Sequence, residues 1–139
     1  MSKRINEAFL SVYMDLDKIC CVKFGIVSGG VTEYINRLNN ARFAPGRDDV
    51  LPRLVRYRNL RNKFANEVQA IRRVDEITKV DVSWIRGFER DVRKKRDPIS
   101  VYLRKARKYA RRRKLYRGFV WSLVLIIIAL AVALYFSLK

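Results

Sequence analysis

The chain has 139 residues, of which 31 are Lys or Arg and 13 are Asp or Glu, so its formal net charge is +18. It contains no His, which excludes a His-ligated zinc site and any nucleophile or general base that depends on an imidazole. Its two cysteines, Cys20 and Cys21, are adjacent, and two thiols cannot supply the four thiolates of a zinc or iron–sulfur site. We therefore expect no metal and no cofactor.

The N-terminal part of the chain predicts two helices joined by a glycine-rich turn. Apolar residues recur at spacings of three and four from Ile5 to Ile19, which predicts a first helix over about Arg4–Lys23. The segment Gly25–Gly30 interrupts this pattern. A second helix is predicted over about Val31–Asn40, with its apolar residues on one face.

Three further helix starts follow along the chain. Asp49 is a candidate N-cap for a third helix over about Val50–Glu67. Apolar residues at helical spacing predict a fourth helix over about Asp81–Lys95. Asp97 followed by Pro98 is typical of a helix start, with Asp as the N-cap and Pro at the first helical position.

Together these elements predict an all-α fold, an up-and-down bundle of about five helices followed by a single C-terminal transmembrane helix. We divide the chain into a helical bundle over residues 1–97, a basic juxtamembrane helix over residues 98–117 and a transmembrane helix over residues 118–138.

The third predicted helix contains the run Arg61-Asn62-Lys63-Phe64-Ala65-Asn66-Glu67. This run resembles the R-N-x-x-x-H-E element of HEPN domains. The resemblance implies a small helical bundle that forms homodimers, and active members of that family are metal-independent RNases that use the Arg and the His of the motif. Here Asn66 occupies the position of the His, and an amide does not exchange a proton near neutral pH. The resemblance therefore implies a domain without catalysis; the alternative is an RNase with Arg61 and Asn66 as candidate catalytic residues.

The same residues can be interpreted from helix geometry alone. At about 100° per residue, Arg61 falls between Val50 and Leu54 on the apolar face of the third helix. An arginine on an apolar face needs a partner: an acidic residue of another helix, a subunit interface, or a ligand phosphate. The candidate acidic partners are Asp15, Asp17 and Glu89. The candidate contacts for a partner or a phosphate are Arg58, Arg61, Asn62 and Asn66.

A strongly basic segment, Arg104–Arg117, follows the predicted bundle and contains no acidic residue. Its nine basic residues are Arg104, Lys105, Arg107, Lys108, Arg111, Arg112, Arg113, Lys114 and Arg117. Such a segment beside a membrane span binds anionic lipid headgroups, and we expect all nine residues to face lipid. The alternative ligand is RNA, because phosphates also attract this segment and its tyrosines could stack on bases.

Residues 118–138 form an uncharged, predominantly apolar stretch. As a helix they extend about 31 Å, which is enough to cross the hydrocarbon core of a bilayer. The basic segment precedes this stretch, so the positive-inside rule predicts a cytoplasmic N-terminal part. Since the stretch ends beside Lys139, we expect a tail-anchor arrangement. A bacterial inner membrane is favoured, and the alternative is a eukaryotic membrane that receives tail-anchored proteins.

The sequence therefore favours a membrane-anchored, cytoplasmic, single-pass binding or scaffold module with a HEPN-like helical domain. Its expected partners are anionic lipid headgroups, a second copy of the chain, and a protein or RNA that the sequence does not identify. The alternatives are a HEPN-type RNase and a structural subunit of a larger membrane complex.

Overall fold

The computed structural model describes residues 2–66 and 76–138. Every regular element within these ranges is a helix: α1 (Ser2–Phe24), α2 (Gly30–Asn40), α3 (Arg47–Asn66), α4 (Lys79–Arg93) and α5 (Pro98–Ser137). The predicted all-α fold is confirmed. The chain divides into two compact units, Met1–Tyr102 and Leu103–Lys139, and each is described by itself below.

The number and bounds of the helices differ slightly from the prediction. In the described residues four helices precede α5, and the predicted basic helix and the apolar stretch are parts of one helix. α3 begins three residues before the predicted Val50, so Asp49 lies inside its first turn and is not the N-cap. A carboxylate in the first turn still stabilises the helix, because it faces the positive end of the helix dipole. The predicted end at Glu67 lies outside the described residues.

α4 and α5 both begin at capping residues. Thr78 and Asp81 form a capping box at the start of α4, in which each side chain accepts a hydrogen bond from the backbone N–H of the other residue. At α5, Asp97 accepts a hydrogen bond from the backbone N–H of Ser100 at 3.2 Å. The predicted start of the last helix at Asp97 and Pro98 is confirmed.

The bundle core lies where α1 packs against α2 and α4, and where α2 packs against α3. Aromatic rings join these helices across the core. Phe9 of α1 meets Tyr57 of α3 edge-on, with ring centroids 5.8 Å apart, and Tyr34 of α2 meets Phe88 of α4 at 5.3 Å. Rings of this size bury much of the apolar area that stabilises a small domain.

The turn between α1 and α2 brings the two backbones into close contact. A Cβ atom on Gly30 would clash with the backbone oxygen of Asp17, so this position accommodates only glycine. The side chain of Asp17 then accepts a hydrogen bond from the backbone N–H of Val31 at 2.8 Å. Asp17 of α1 thus accepts from a backbone N–H in the first turn of α2, where the helix itself offers no acceptor. Gly29, which has no side chain to cap the helix, forms the turn with a φ of 72°, a conformation that glycine adopts without steric cost.

Candidate functional site

The first turn of α5 is fixed in the bundle by a buried ionic cluster around Asp97. The Asp97 side chain has 0% exposure and lies 3.0 Å from the ammonium of Lys23 in α1, which is 17% exposed. The hydroxyl of Tyr34 in α2 donates to the second carboxylate oxygen at 2.7 Å. Lys23 also donates to the hydroxyl of Ser100. Three helices therefore meet at one carboxylate, which we call the Asp97 cluster: Lys23, Tyr34, Asp97 and Ser100.

The pKa values in the Asp97 cluster indicate an ionised carboxylate. Burial by itself raises the pKa of Asp97, but hydrogen bonds from Ser100, Tyr34 and Lys23 outweigh it and hold the pKa below its ordinary value. Burial and the neighbouring Asp97 charge raise the pKa of Tyr34. Tyr34 therefore stays protonated and donates, while Asp97 accepts, and these contacts join α1 and α2 to the start of α5.

A second carboxylate, Asp81, links α3 to α4. It accepts a hydrogen bond from the hydroxyl of Tyr57 at 2.8 Å and lies 3.5 Å from the guanidinium of Arg56. Burial raises the pKa of Asp81, but hydrogen bonds from Thr78 and Tyr57, with the charge of Arg56, lower it overall. Burial and the hydrogen bond to Asp81 raise the pKa of Tyr57 to about 12. This group, too, has the properties of a structural link.

Arg61 is exposed, contrary to the expectation that it lies on the buried face of α3. The buried face consists of Val50, Leu54, Tyr57, Leu60 and Phe64. The backbone angle does place Arg61 among these positions, but its long side chain extends into solvent. Its guanidinium hydrogen-bonds the neighbouring Asn62 at 3.4 Å.

The proposed acidic partners of Arg61 have other roles. Asp17 accepts from the backbone of Val31, Glu89 forms an ion pair with Arg93 at 2.6 Å, and Asp15 is exposed. The prediction of a buried arginine tied to one of these carboxylates is therefore wrong.

The other residues of the motif also lie toward solvent. Asn62 and Asn66 are exposed and Arg58 is half-buried. Arg58 and Arg61 lie near Tyr13 of α1, where their charges lower its pKa, but burial dominates and raises the pKa of Tyr13 to about 12. Three motif residues and the neighbouring Arg58 thus form an accessible polar surface on α3, which we call the α3 polar surface: Arg58, Arg61, Asn62 and Asn66.

The acidic and thiol side chains of the described residues do not form a metal site. These residues contain no group of three or more His, Cys, Asp or Glu side chains arranged to hold a metal ion. Cys20 and Cys21 are buried free thiols. Burial raises the pKa of the Cys20 thiol to about 12, which keeps it protonated and unreactive.

The second unit consists of α5 beyond Tyr102. All nine basic side chains from Arg104 to Arg117 are exposed, and so is the apolar stretch that follows. The apolar residues include Ile126 and Ile127, near the middle of residues 118–137. Within the described part of the chain, α5 is the one helix long and apolar enough to cross a membrane.

Sequence reasoning did not find two members of the Asp97 cluster. Asp97 was identified as a helix cap, but Lys23 and Tyr34 lie 74 and 63 residues away along the chain. A signal does exist for Tyr34, since it follows the apolar spacing of α2 and a buried tyrosine usually needs a partner for its hydroxyl. Nothing in the sequence pairs that hydroxyl with Asp97.

Comparison with known proteins places the chain in a family. No curated protein and no solved structure matches it. The model of a family of unknown function, DUF6548, matches residues 7–118. This range includes most of α1, the other bundle helices and the whole basic segment. The match covers well over half of the chain, which therefore belongs to the DUF6548 family.

Proposed function

We propose that this chain is a membrane-anchored helical binding module, in which the bundle is held at the cytoplasmic face of a membrane by α5. The exposure of the apolar stretch of α5 carries the proposal. α5 is a single helix from Pro98 to Ser137, its first turn is fixed in the bundle by buried Asp97, and its apolar stretch is exposed along its full length. A soluble protein would bury such a stretch.

The length and flanks of the apolar stretch support insertion. Its helical residues, 118–137, extend about 30 Å, the thickness of the hydrocarbon core of a bilayer. Trp121 and Tyr135 lie near its two ends, where aromatic rings favour the membrane interface. The basic segment on the N-terminal side would keep the bundle in the cytoplasm, and each Lys or Arg near an anionic surface adds about 1 kcal/mol of attraction.

The bundle's role in this proposal is binding, not catalysis. Asn66 stands where the HEPN-like motif would need a His, and the chain contains no His that could replace it. The α3 polar surface is accessible, which suits contact with a partner molecule. We propose that this surface pairs with the same surface of a second copy, as the resemblance to HEPN domains implies.

Anchoring is tested by alkaline carbonate extraction of the full chain from cell membranes. Ile126→Lys with Ile127→Lys places two charges near the middle of the span, at a cost of about 2.5–3.5 kcal/mol each. We expect this variant to move to the supernatant while the wild type stays in the pellet. Val22→Lys with Val80→Lys adds the same charge at exposed bundle positions and should behave as the wild type. A wild type that carbonate extracts contradicts the proposal.

Pairing through the α3 polar surface is tested by chemical cross-linking of the full chain in non-ionic detergent. We expect a dimer band for the wild type and a weakened band for Arg61→Glu, because the new charge disturbs the shared surface. Arg86→Glu makes the same charge change at an exposed position of α4 and serves as the matched control. A monomer throughout, or equal loss in both variants, contradicts the proposed dimer.

A further inference from the structure

The continuity of α5 fixes how far each basic residue lies from the apolar stretch. The helix has no break between Arg104 and Gly118, and it rises about 1.5 Å per residue. Arg117 therefore lies about 2 Å from the start of the apolar stretch at Gly118 and Arg111 about 10 Å. Lys108 lies about 15 Å away and Arg104 about 21 Å. The basic segment is thus longer than a headgroup layer is thick.

The reach of an anionic membrane surface can be compared with these distances. A bilayer is about 40–45 Å thick with a hydrocarbon core of about 30 Å, which leaves a headgroup layer of about 5–7 Å on each side. Screening reduces its field within a Debye length, about 8 Å at physiological salt. The headgroup layer and one Debye length together reach about 15 Å from the apolar boundary, and beyond that distance the surface attracts a basic side chain only weakly. The usual helix tilt, about 20°, shortens the distances by less than a tenth.

Side-chain direction increases the separation. In a helix the Cα–Cβ bonds tilt toward the N-terminus, and the N-terminal end of α5 is the end away from the apolar stretch. The Cα–Cβ bonds of the basic residues therefore point away from the apolar stretch. The nine residues divide into a proximal group within reach of headgroups and a distal group beyond it. The distal group is Arg104, Lys105, Arg107 and Lys108.

The distal group lies on one side of the helix. At about 100° per residue its four members fall within an arc of about 160°, and all four side chains are exposed. Tyr109 lies beside this arc, about 40° from Lys105, with 71% of its surface exposed. The arrangement is a row of cations bordered by an accessible aromatic ring.

We propose that the distal group and Tyr109 bind single-stranded RNA, with the cations on phosphates and the ring stacked on a base. This inference rests on the proposed function, which places the segment in the cytoplasm next to a membrane. Charge complementarity excludes a second basic helix as the occupant, since like charges repel. An exposed ring beside cations suits RNA better than an acidic peptide, because bases offer a face on which it stacks. The site shares no residue with the α3 polar surface.

The test uses the full chain in nanodiscs that contain anionic lipid, which attracts the proximal group, and a fluorescent 20-nucleotide oligouridine, titrated over a range of salt. Two sets of Gln substitutions remove four charges each from the same helix. The distal set changes Arg104, Lys105, Arg107 and Lys108, and the proximal set changes Arg112, Arg113, Lys114 and Arg117. We expect the distal set to weaken RNA binding by about tenfold or more and to lower the salt slope by about 0.7 per lost contact. The proximal set should change RNA binding less, and should instead weaken the preference for anionic over zwitterionic vesicles.

Tyr109 provides an independent test of stacking. Tyr109→Ala should weaken binding of the oligouridine by about tenfold, while Tyr109→Phe retains the ring and should bind as the wild type.

Three results would overturn the proposal. The first is that wild type that has entered the nanodiscs binds no RNA. The second is that the distal and proximal substitutions weaken RNA binding equally. The third is that oligoglutamate of equal charge binds as tightly as the RNA. Failure of the wild type to enter nanodiscs at all would instead refute the anchoring on which the inference rests.

Discussion

Removal of the Asp97 carboxylate should strongly destabilise the bundle, and Asp97→Ala tests this directly. The substitution removes the partner of Lys23, the acceptor for the Tyr34 hydroxyl and the N-cap of α5. Because the Asp97 side chain is fully buried and Lys23 is only 17% exposed, water cannot fully replace the lost contacts. The ammonium of Lys23 would be left beside an apolar methyl group.

The magnitude follows from the number and burial of these contacts. Breaking a buried ion pair by removing one partner costs about 3–5 kcal/mol, and loss of an N-cap costs about 0.5–2 kcal/mol. The two effects share one side chain and do not add fully, so we expect a loss of about 4 kcal/mol. Asp48→Ala is the matched control, since Asp48 forms its ion pair with Arg47 at 95% exposure and should lose little.

The assay is urea unfolding of the full chain in non-ionic detergent. The chain has two tryptophans, and Trp121→Phe in all variants leaves Trp84 as the reporter. Trp84 stacks on Phe88 with centroids 5.2 Å apart, so its fluorescence follows the bundle core. A loss for Asp97→Ala of less than about 1 kcal/mol, similar to that for Asp48→Ala, would refute the reasoning.

Asp97 also predicts a pH dependence with a definite sign. Because its pKa is lower in the folded protein than the ordinary value, about 3.9 in the unfolded chain, its stabilisation is complete above that value. The stabilisation is lost as the pH falls from there through the folded pKa. Asp81 has a pKa lowered in the same direction. Comparison of the wild type with Asp97→Asn isolates the Asp97 contribution. The difference between their unfolding free energies should therefore shrink as the pH falls below about 4.

Two further substitutions test the packing of the bundle by the same unfolding assay. Gly30→Ala should lose more than about 3 kcal/mol, because its Cβ would meet the Asp17 backbone oxygen. Gly87→Ala, where nothing lies within 4 Å of the added Cβ, should raise the free energy of unfolding by up to about 1 kcal/mol. Equal effects of the two substitutions would contradict the close approach of Gly30 to the α1 backbone. Tyr57→Phe removes the hydrogen bond to Asp81 and should lose about 1–2 kcal/mol, and an unchanged midpoint would show that this bond contributes nothing.

The helices were predictable wherever local chemistry sets them. The start of α5 was identified because an Asp followed by a Pro at 97 and 98 satisfies the capping rules by itself. The start of α3 was placed three residues late because Arg47, Asp48 and Asp49 carry no apolar periodicity. Polar residues can form a first helical turn without leaving that signal.

The environment of Arg61 was not predictable from the helical angle. The angle gives the direction of the Cα–Cβ bond, whereas a long side chain can turn away from the core and reach water. The buried residues of α3 end at Phe64, so Arg61 lies only one turn from the last of them. A residue near the end of a buried helix face can therefore share the angular position of the buried residues and still have an exposed charged group.

The Asp97 cluster required the tertiary structure. Its members come from three helices, and the ion pair spans 74 residues of sequence. A helical pattern shows which residues are buried in each helix but not which polar atoms meet between helices. The basic segment was the opposite case, since Arg104–Arg117 is recognisable from composition alone.

The most direct test of the central claim is the topology of the full chain in living cells. A reporter that is active only in the cytoplasm is fused before Met1 in one version and after Lys139 in another. If the basic segment stays in the cytoplasm and the apolar stretch of α5 crosses the membrane, as we propose, the N-terminal fusion should be active and the C-terminal fusion inactive. Activity of both fusions would show that α5 does not cross, and activity of the C-terminal fusion alone would show that the bundle lies on the other side.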